Sequence, residues 1–227
     1  MSKKIAFQGF AGAYSDLACR QIFPEMETIP CETFDEAFEA VQSQRADLAM
    51  IPIDNTLAGR VADVHRLMPH SNLHIIGEHF QPIQHALLAV KGAKLSDLKV
   101  VHSHIHALPQ CQKIIQKMEL KPEVHADTAG AAQEVARHKD KSQAAIASTL
   151  AANIYDLDII QENIQDAAHN TTRFLILSSH AYVPEWEEGQ HYITSFIFQV
   201  RNIPASLYKS LSGFATNNIN ICLLYTS

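Results

Sequence analysis

The sequence predicts an α/β protein of two lobes followed by a small strand–helix–strand tail, and three observations carry that reading. Short apolar runs alternate with stretches of helical periodicity through residues 1–180. The alternation breaks near Phe80-Gln81-Pro82 and restarts beyond it. A polar stretch over 184–190, holding Trp186 and Gly189, then sets apart one last strand–helix–strand pattern. Alternation of this kind calls for parallel sheets covered by helices, with ligand contacts at the C-terminal ends of strands.

In order, Ile5-Ala6-Phe7 reads as a strand broken by Gly9 and Gly12, and 14–22 as a helix. Thr33-x-x-Glu36 is a capping box, and Phe34, Ala37, Phe38 and Val41 follow at helical spacing. Leu48-Ala49-Met50-Ile51 is continuously apolar, as in a strand buried on both faces. Pro52 is expected to end it, and 59–68 to be helical. Strands follow at 73–76, 85–90 and 100–101, a helix at 108–118, a short strand at Val124 and a helix at 129–138. A strand at 144–147, a helix at 150–155 and a strand at 174–177 close the series. The chain is expected to cross between lobes near 80–82 and to return between Ile160 and Asn170. In the tail, 192–200 alternates like a strand, 204–215 is a helix with proline in its first turn, and 219–224 starts another strand. A fragment of about 37 residues leaves a sheet face uncovered, so the sequence is expected to be cut short there.

At 227 residues the chain holds about 1.5 average domains. With 47% apolar and 19% charged residues it is an ordinary globular composition, not a disordered one. Eighteen basic against 24 acidic residues give a net charge of −6 without like-charge runs, which disfavours a nucleic-acid partner. No apolar run nears the roughly 20 residues of a membrane span, and Met1-Ser2-Lys3-Lys4 opens no signal-peptide core. No membrane association and a cytoplasmic location are therefore expected. Cys19, Cys31, Cys111 and Cys222 are isolated, which excludes a disulfide framework, a thioredoxin-type centre and a Cys-rich zinc site. They read as buried free thiols.

Three strand-to-helix junctions carry small or hydroxyl residues: Gly9 to Ser15, Asp54-Asn55-Thr56 through Arg60, and His102-Ser103-His104. Free N–H groups at helix starts bind carboxylates, so several such junctions favour a small anionic ligand held between lobes. Asn170-Thr171-Thr172-Arg173-Phe174 places an arginine, able to clamp a carboxylate through two hydrogen bonds, beside hydroxyls at a strand start. His102-x-His104-x-His106 has imidazole spacing, but no carboxylate or cysteine nearby completes a zinc site, and no metal is expected. Gly9-x-x-Gly12 lacks the third glycine and acidic partner of a dinucleotide fingerprint, and no P-loop is present.

Read together, seven stretches resemble the prephenate dehydratase family in family order. They are FQGFAGAYSD (7–16), IPIDNTLAGRVADVH (51–65), HALL (85–88), HSHIHALPQC (102–111), DTAGAA (127–132), AAIAS (144–148) and NTTRF (170–174). Asp54 stands where the family usually has Glu. The resemblance implies a two-lobed catalytic domain over 1–182, like the type-2 periplasmic binding proteins. Lobe one would take about 1–80 and 168–182, and lobe two about 81–167. It also implies decarboxylating dehydration of prephenate to phenylpyruvate without a cofactor, in a homodimer or homotetramer. Thr172 would donate to the leaving hydroxyl. Arg173 would clamp the retained carboxylate, Phe174 would form an apolar wall, and Asn55, Thr56, Ser103 and Asn170 would contact substrate. Arogenate dehydratase, or a non-catalytic anion-binding protein of the same fold, are the alternatives. The tail over 190–227 resembles the start of the family's regulatory ACT domain, which implies L-phenylalanine as effector at Asn202, Ala205 and Leu207. Ala205-Ser206-Leu207 stands where Gly-Ala-Leu is usual, and Cys222 to Ser227 does not continue the family pattern and reads as foreign sequence. Phenylalanine feedback is accordingly expected of a longer protein and not of these residues alone.

Overall fold

The continuous apolar runs become the centres of two sheets. The computed structural model describes residues 2–221 and 224, and divides into one unit through Glu185 and a second from Trp186. In the first unit come β1 (Lys4–Gln8), α1 (Tyr14–Ile22), β2 (Glu27–Cys31), α2 (Phe34–Gln42), β3 (Leu48–Asn55), β4 (Gly59–Arg60), α3 (Ala62–Leu67) and β5 (His74–Pro82). The chain continues through β6 (Ala86–Ala89), β7 (Val100–His104), α4 (Gln112–Lys117), β8 (Lys121–His125), α5 (Thr128–His138), β9 (Gln143–Ala147), α6 (Thr149–Tyr155), β10 (Asp158–Gln161) and β11 (Thr171–Ser178). One sheet has the order β2-β1-β3-β11-β5 with β4 folded back on β3, and the other β10-β6-β9-β7-β8.

Both sheets are mixed, which corrects the expectation of parallel ones. β1 pairs in parallel with β2 and β3, but β11 runs antiparallel to β3 and β5. The reason is topological: the chain leaves the first sheet at Pro82 and re-enters directly opposite, with Thr171 paired to Pro82. A strand that starts where its neighbours end must run against them. In the second sheet β6 is antiparallel to β9 and β10, a strand the sequence pattern did not announce, while β7 is parallel to β8 and β9.

Proline does not end β3. The strand passes through Pro52 to Asn55, with Ile53 as an extra residue against β11. β1 accompanies β3 only as far as Met50, so Pro52 lies where one side of the strand is already open and a missing N–H is tolerated. The expected helix at 59–68 begins late, because Gly59 and Arg60 first turn back to pair with Asn55 and Asp54.

The first sheet is packed on both faces. Ala37, Phe38, Val41, Ile51, Val64, Leu175 and Leu177 fill one layer, and Ile5, Phe7, Ala18, Met50, Phe174 and Ile176 the other, joined by Ala129 from α5. Helix starts are satisfied as their residues require. Thr33 Oγ1 accepts from Glu36 N (3.1 Å), Asp127 Oδ1 from Gly130 N (2.7 Å) and Ser148 Oγ from Ala151 N (3.1 Å). The Glu36 carboxylate returns to Glu32 N instead of the cap residue itself.

The second unit contains α7 (Ser206–Thr216), whose N-cap Ala205 adopts a left-handed φ of 64°. A glycine would take that conformation without strain. Phe196 stacks on Phe214 with ring centroids 5.6 Å apart. The expected strand at 192–200 is not formed among the described residues, since no neighbouring strand is there to accept its hydrogen bonds. The strand expected at 219–224 has no assigned structure over 219–221, and Cys222, Leu223 and 225–227 lie outside the described residues. Among the described residues no helix is long and apolar enough to cross a membrane.

Candidate active site

The two chain crossings run side by side, and the candidate site grows from them. Ile83 N donates to Asn170 O (2.9 Å), and two residues later Thr172 pairs with Asn55 of β3 and Gln81 of β5. Asn55 Oδ1 accepts from Leu57 N (2.9 Å) and Ala58 N (2.8 Å), closing the turn into β4. That fixes the amide with Nδ2 toward β11, where it donates to Asn170 Oδ1 (2.8 Å), Thr172 Oγ1 (2.9 Å) and Thr171 O (3.3 Å). Because Asn55 supplies the proton of its bond to Thr172, the threonine keeps its own. No acceptor for that proton is present among the described residues, and Thr172 is partly exposed.

The neighbours expected to touch a ligand are instead occupied with one another. Thr56 Oγ1 donates to His169 O (2.9 Å) and accepts from Thr171 N (3.0 Å). Asn170 is buried, accepting from Asn55 and donating to Gln110 Oε1 (2.6 Å). Ser103 is fully buried in β7 and donates to Ile146 O (2.6 Å). Phe174 is buried behind Thr172 on the same face of β11. Thr56, Asn170 and Phe174 form the frame that holds Thr172, while Ser103 ties β7 to β9.

Beyond Asn170 the frame continues to residues the sequence reading quoted within its blocks but did not single out. Gln110 Oε1 also meets His85 Nε2 (3.0 Å), and His85 Nδ1 meets Tyr14 OH (2.8 Å), which lies 2.8 Å from Gln84 O as well. Burial pushes the His85 imidazole below its ordinary pKa, against a smaller opposing pull from Gln110, and burial pushes the Tyr14 phenol well up. A signal was available: His85 is a polar residue opening an apolar strand, and a buried imidazole needs partners. Next to Gln110, the Cys111 thiol is pushed up to about 12, first by burial and then by Asp166. Iodoacetamide at mildly alkaline pH is therefore expected to spare Cys111 in the folded protein and to alkylate it in urea. Peptide mapping reads the outcome, and rapid labelling of the native thiol would contradict its burial.

Thr172 and Arg173, expected to serve one ligand, project to opposite faces of β11. Successive side chains alternate along a strand, and β11 carries no bulge of its own. Thr172 shares its face with Phe174 and Ile176, Arg173 with Leu175 and Leu177. On that face Arg173 Nε donates to Glu78 Oε2 (2.6 Å), which an Nη2 donor also meets at 2.6 Å, with both side chains about five-sixths buried. Its guanidinium lies 6.0 Å from the Phe80 ring centroid and 4.0 Å from Asp54 Oδ2. That Asp54 oxygen is buried without a hydrogen-bond partner.

The junctions expected to cradle an anion are filled by protein. Gly12 N donates to Asp16 Oδ2 (2.8 Å), and the carbonyls of Ala11 and Gly12 accept from Tyr155 OH (2.8 Å) and Ser148 Oγ (2.6 Å) of α6. The β1–α1 turn is thus a dock between the sheets. His102 Nε2 bonds Gln143, while His104 and His106 pack with ring centroids 5.2 Å apart. Among the described residues no three His, Cys, Asp or Glu side chains gather as a metal site. In the second unit Asn202 and Ala205 are exposed before α7 and Leu207 lies in its first turn.

The pattern of the prephenate dehydratase family matches residues 5–182. A bifunctional N-acyl-homoserine lactone acylase/prephenate dehydratase of Komagataeibacter europaeus is 47% identical over 221 residues, 97% of this chain and 78% of that protein. Arogenate dehydratase 2 of Petunia hybrida is 42% identical over 96% of this chain, which spans 55% of that relative's length. The crystal structure of prephenate dehydratase from Arthrobacter aurescens in complex with L-Phe matches with a TM-score of 0.86 at 26% identity, covering 99% of this chain and 76% of that one. With this sequence match over the unit that carries both sheets, the chain belongs to the prephenate dehydratase family.

Proposed function

We propose that the chain converts prephenate to phenylpyruvate, carbon dioxide and water, with Thr172 as the proton-bearing donor to the departing hydroxyl. The observation that carries this reading is the Asn55–Thr172 bond, in which the amide donates and leaves the hydroxyl proton available. As the carboxylate departs as carbon dioxide, the electrons of its bond enter the ring and expel the hydroxyl, which takes up one proton to leave as water. Aromatisation drives the step, so no electron sink is required. A threonine hydroxyl is a weak acid, and its contribution is a positioned hydrogen bond that strengthens as charge builds on the leaving oxygen.

Asn55, Asn170 and Thr56 hold that hydroxyl in place, Phe174 backs it, and Ser103 fixes β7 to β9. Arg173 is proposed to lock β11 through Glu78 and not to clamp substrate, since it lies on the other face of the strand. Arogenate is the second reading, supported by the likeness to plant proteins bearing that name. L-phenylalanine is the effector we assign to the region of Asn202, Ala205 and Leu207 in a complete ACT domain. A cytoplasmic homodimer or homotetramer is the assembly we expect.

Mixing the protein with prephenate and following the alkaline absorbance of phenylpyruvate tests the function, with arogenate and phenylalanine formation as the parallel arm. Phenylpyruvate formation is the expected result. Phenylalanine from arogenate alone would shift the assignment to the amino analogue. Binding without any aromatic product would leave an anion-binding protein.

A further inference from the structure

The polarity of the hydrogen bonds around Thr172 follows from two backbone groups whose role is not in doubt. Leu57 N–H and Ala58 N–H can only donate, so the Asn55 atom they meet is its carbonyl oxygen and the other end is the amide NH2. That NH2 requires an acceptor on Asn170, which turns the Asn170 NH2 toward Gln110. Gln110 must then present its oxygen there. The same oxygen faces His85 Nε2, so this nitrogen carries the proton and Nδ1 is left as an acceptor; Tyr14 OH faces both Nδ1 and Gln84 O at 2.8 Å and has one proton for the two. From Asn55 to His85 each link is decided by the one before it.

Resting on the dehydratase reading, we propose that His85, as the Nε2–H tautomer, is a positioning residue that fixes the Gln110 amide so that its NH2 is offered to substrate beside Thr172. With its oxygen engaged by Asn170 and His85, Gln110 has two N–H protons with no acceptor among the described residues, and its side chain is partly exposed. The opposite tautomer would set the His85 lone pair against the Gln110 oxygen. The amide would then turn over, presenting a carbonyl where a donor stood and breaking the bond to Asn170. The chain orients and does not conduct: amide groups of Gln110, Asn170 and Asn55 interrupt any passage of protons from Tyr14 to Thr172.

Two substitutions at one position separate this role from mere filling of space. A glutamine amide can place its nitrogen near the position of Nε2, whereas that of asparagine reaches only the position of Nδ1. His85→Asn is expected to lower kcat at least about tenfold with KM changed by less than about threefold, because the lost orientation matters most once charge develops. His85→Gln is expected to recover most of that turnover. Equal impairment of both variants, or undiminished kcat in His85→Asn, would overturn the proposal. Imidazole nitrogen shifts of the 15N-labelled protein read the tautomer without reference to turnover, and an Nδ1–H signal for His85 would also overturn it. If the unmodified protein turns over neither prephenate nor arogenate, the functional reading fails. The tautomer, and a shift of the Gln110 amide signals in His85→Asn but not in His85→Gln, then still decide the orientation claim.

Discussion

Replacing Thr172 by alanine is expected to reduce turnover at least about 100-fold, the lower range for a positioned proton donor. The loss should fall on kcat, with KM little changed, since the hydroxyl interacts most strongly with a leaving oxygen that gains charge only as the bond breaks. Thr172→Ser keeps the donor and should retain much of the rate. Asn55 would still donate toward the serine oxygen, so the direction of the hydroxyl proton survives the change. In alanine the Asn55 NH2 keeps Asn170 and Thr171 O as acceptors, and the frame has no reason to unfold. Thermal melts of the purified variants check that point before kinetics are read. Near-normal turnover in a folded Thr172→Ala protein would remove the residue from the mechanism.

The second large effect concerns stability. Gly12 has a φ of +87°, and a Cβ added there would lie 2.8 Å from Ala151 Cα and 3.2 Å from Ala151 N. Backbone atoms of α6 cannot yield as a flexible side chain would. Gly59 provides the comparison, with a φ of +81° but nothing within 4 Å of an added Cβ. Gly59→Ala should cost about 1–2 kcal/mol, the penalty of a left-handed backbone alone. Gly12→Ala should cost about 2–5 kcal/mol, because pushing α6 away also strains the buried bonds from Ser148 and Tyr155 to the same turn. Urea unfolding of the two variants measures the difference. Equal midpoints would show that the dock between the sheets relaxes freely.

Much of the fold was legible because burial leaves a trace in residue type. The apolar runs at 48–51, 144–147 and 174–177 became strands, and the capping box at Thr33 marked a helix start. Strand direction leaves no such trace, so the antiparallel return of β11 came from where the chain crosses and not from its composition. In the run at 174–177 both faces are apolar, and alternation there did not reveal which face was which. The separation of Thr172 from Arg173 nonetheless follows from their being adjacent in an extended segment; reading NTTRF as one recognition unit hid it. Gln110 and His85 escaped notice for another reason. Their importance lies in which atoms they turn toward each other across 25 positions of sequence, and no local pattern encodes that.

The pairing of the two crossings has a mechanical consequence. Two antiparallel spans tied by the bond from Ile83 to Asn170 behave as a ribbon, which flexes easily about the axis across its width and resists torsion and sideways shear. Any swing of one sheet against the other should thus follow a single arc. Asn170 belongs to this ribbon and also contacts the amide that steadies Thr172. Thr172, the proposed donor, is therefore mounted at the pivot, where displacement during such a swing is smallest, while the distant walls travel.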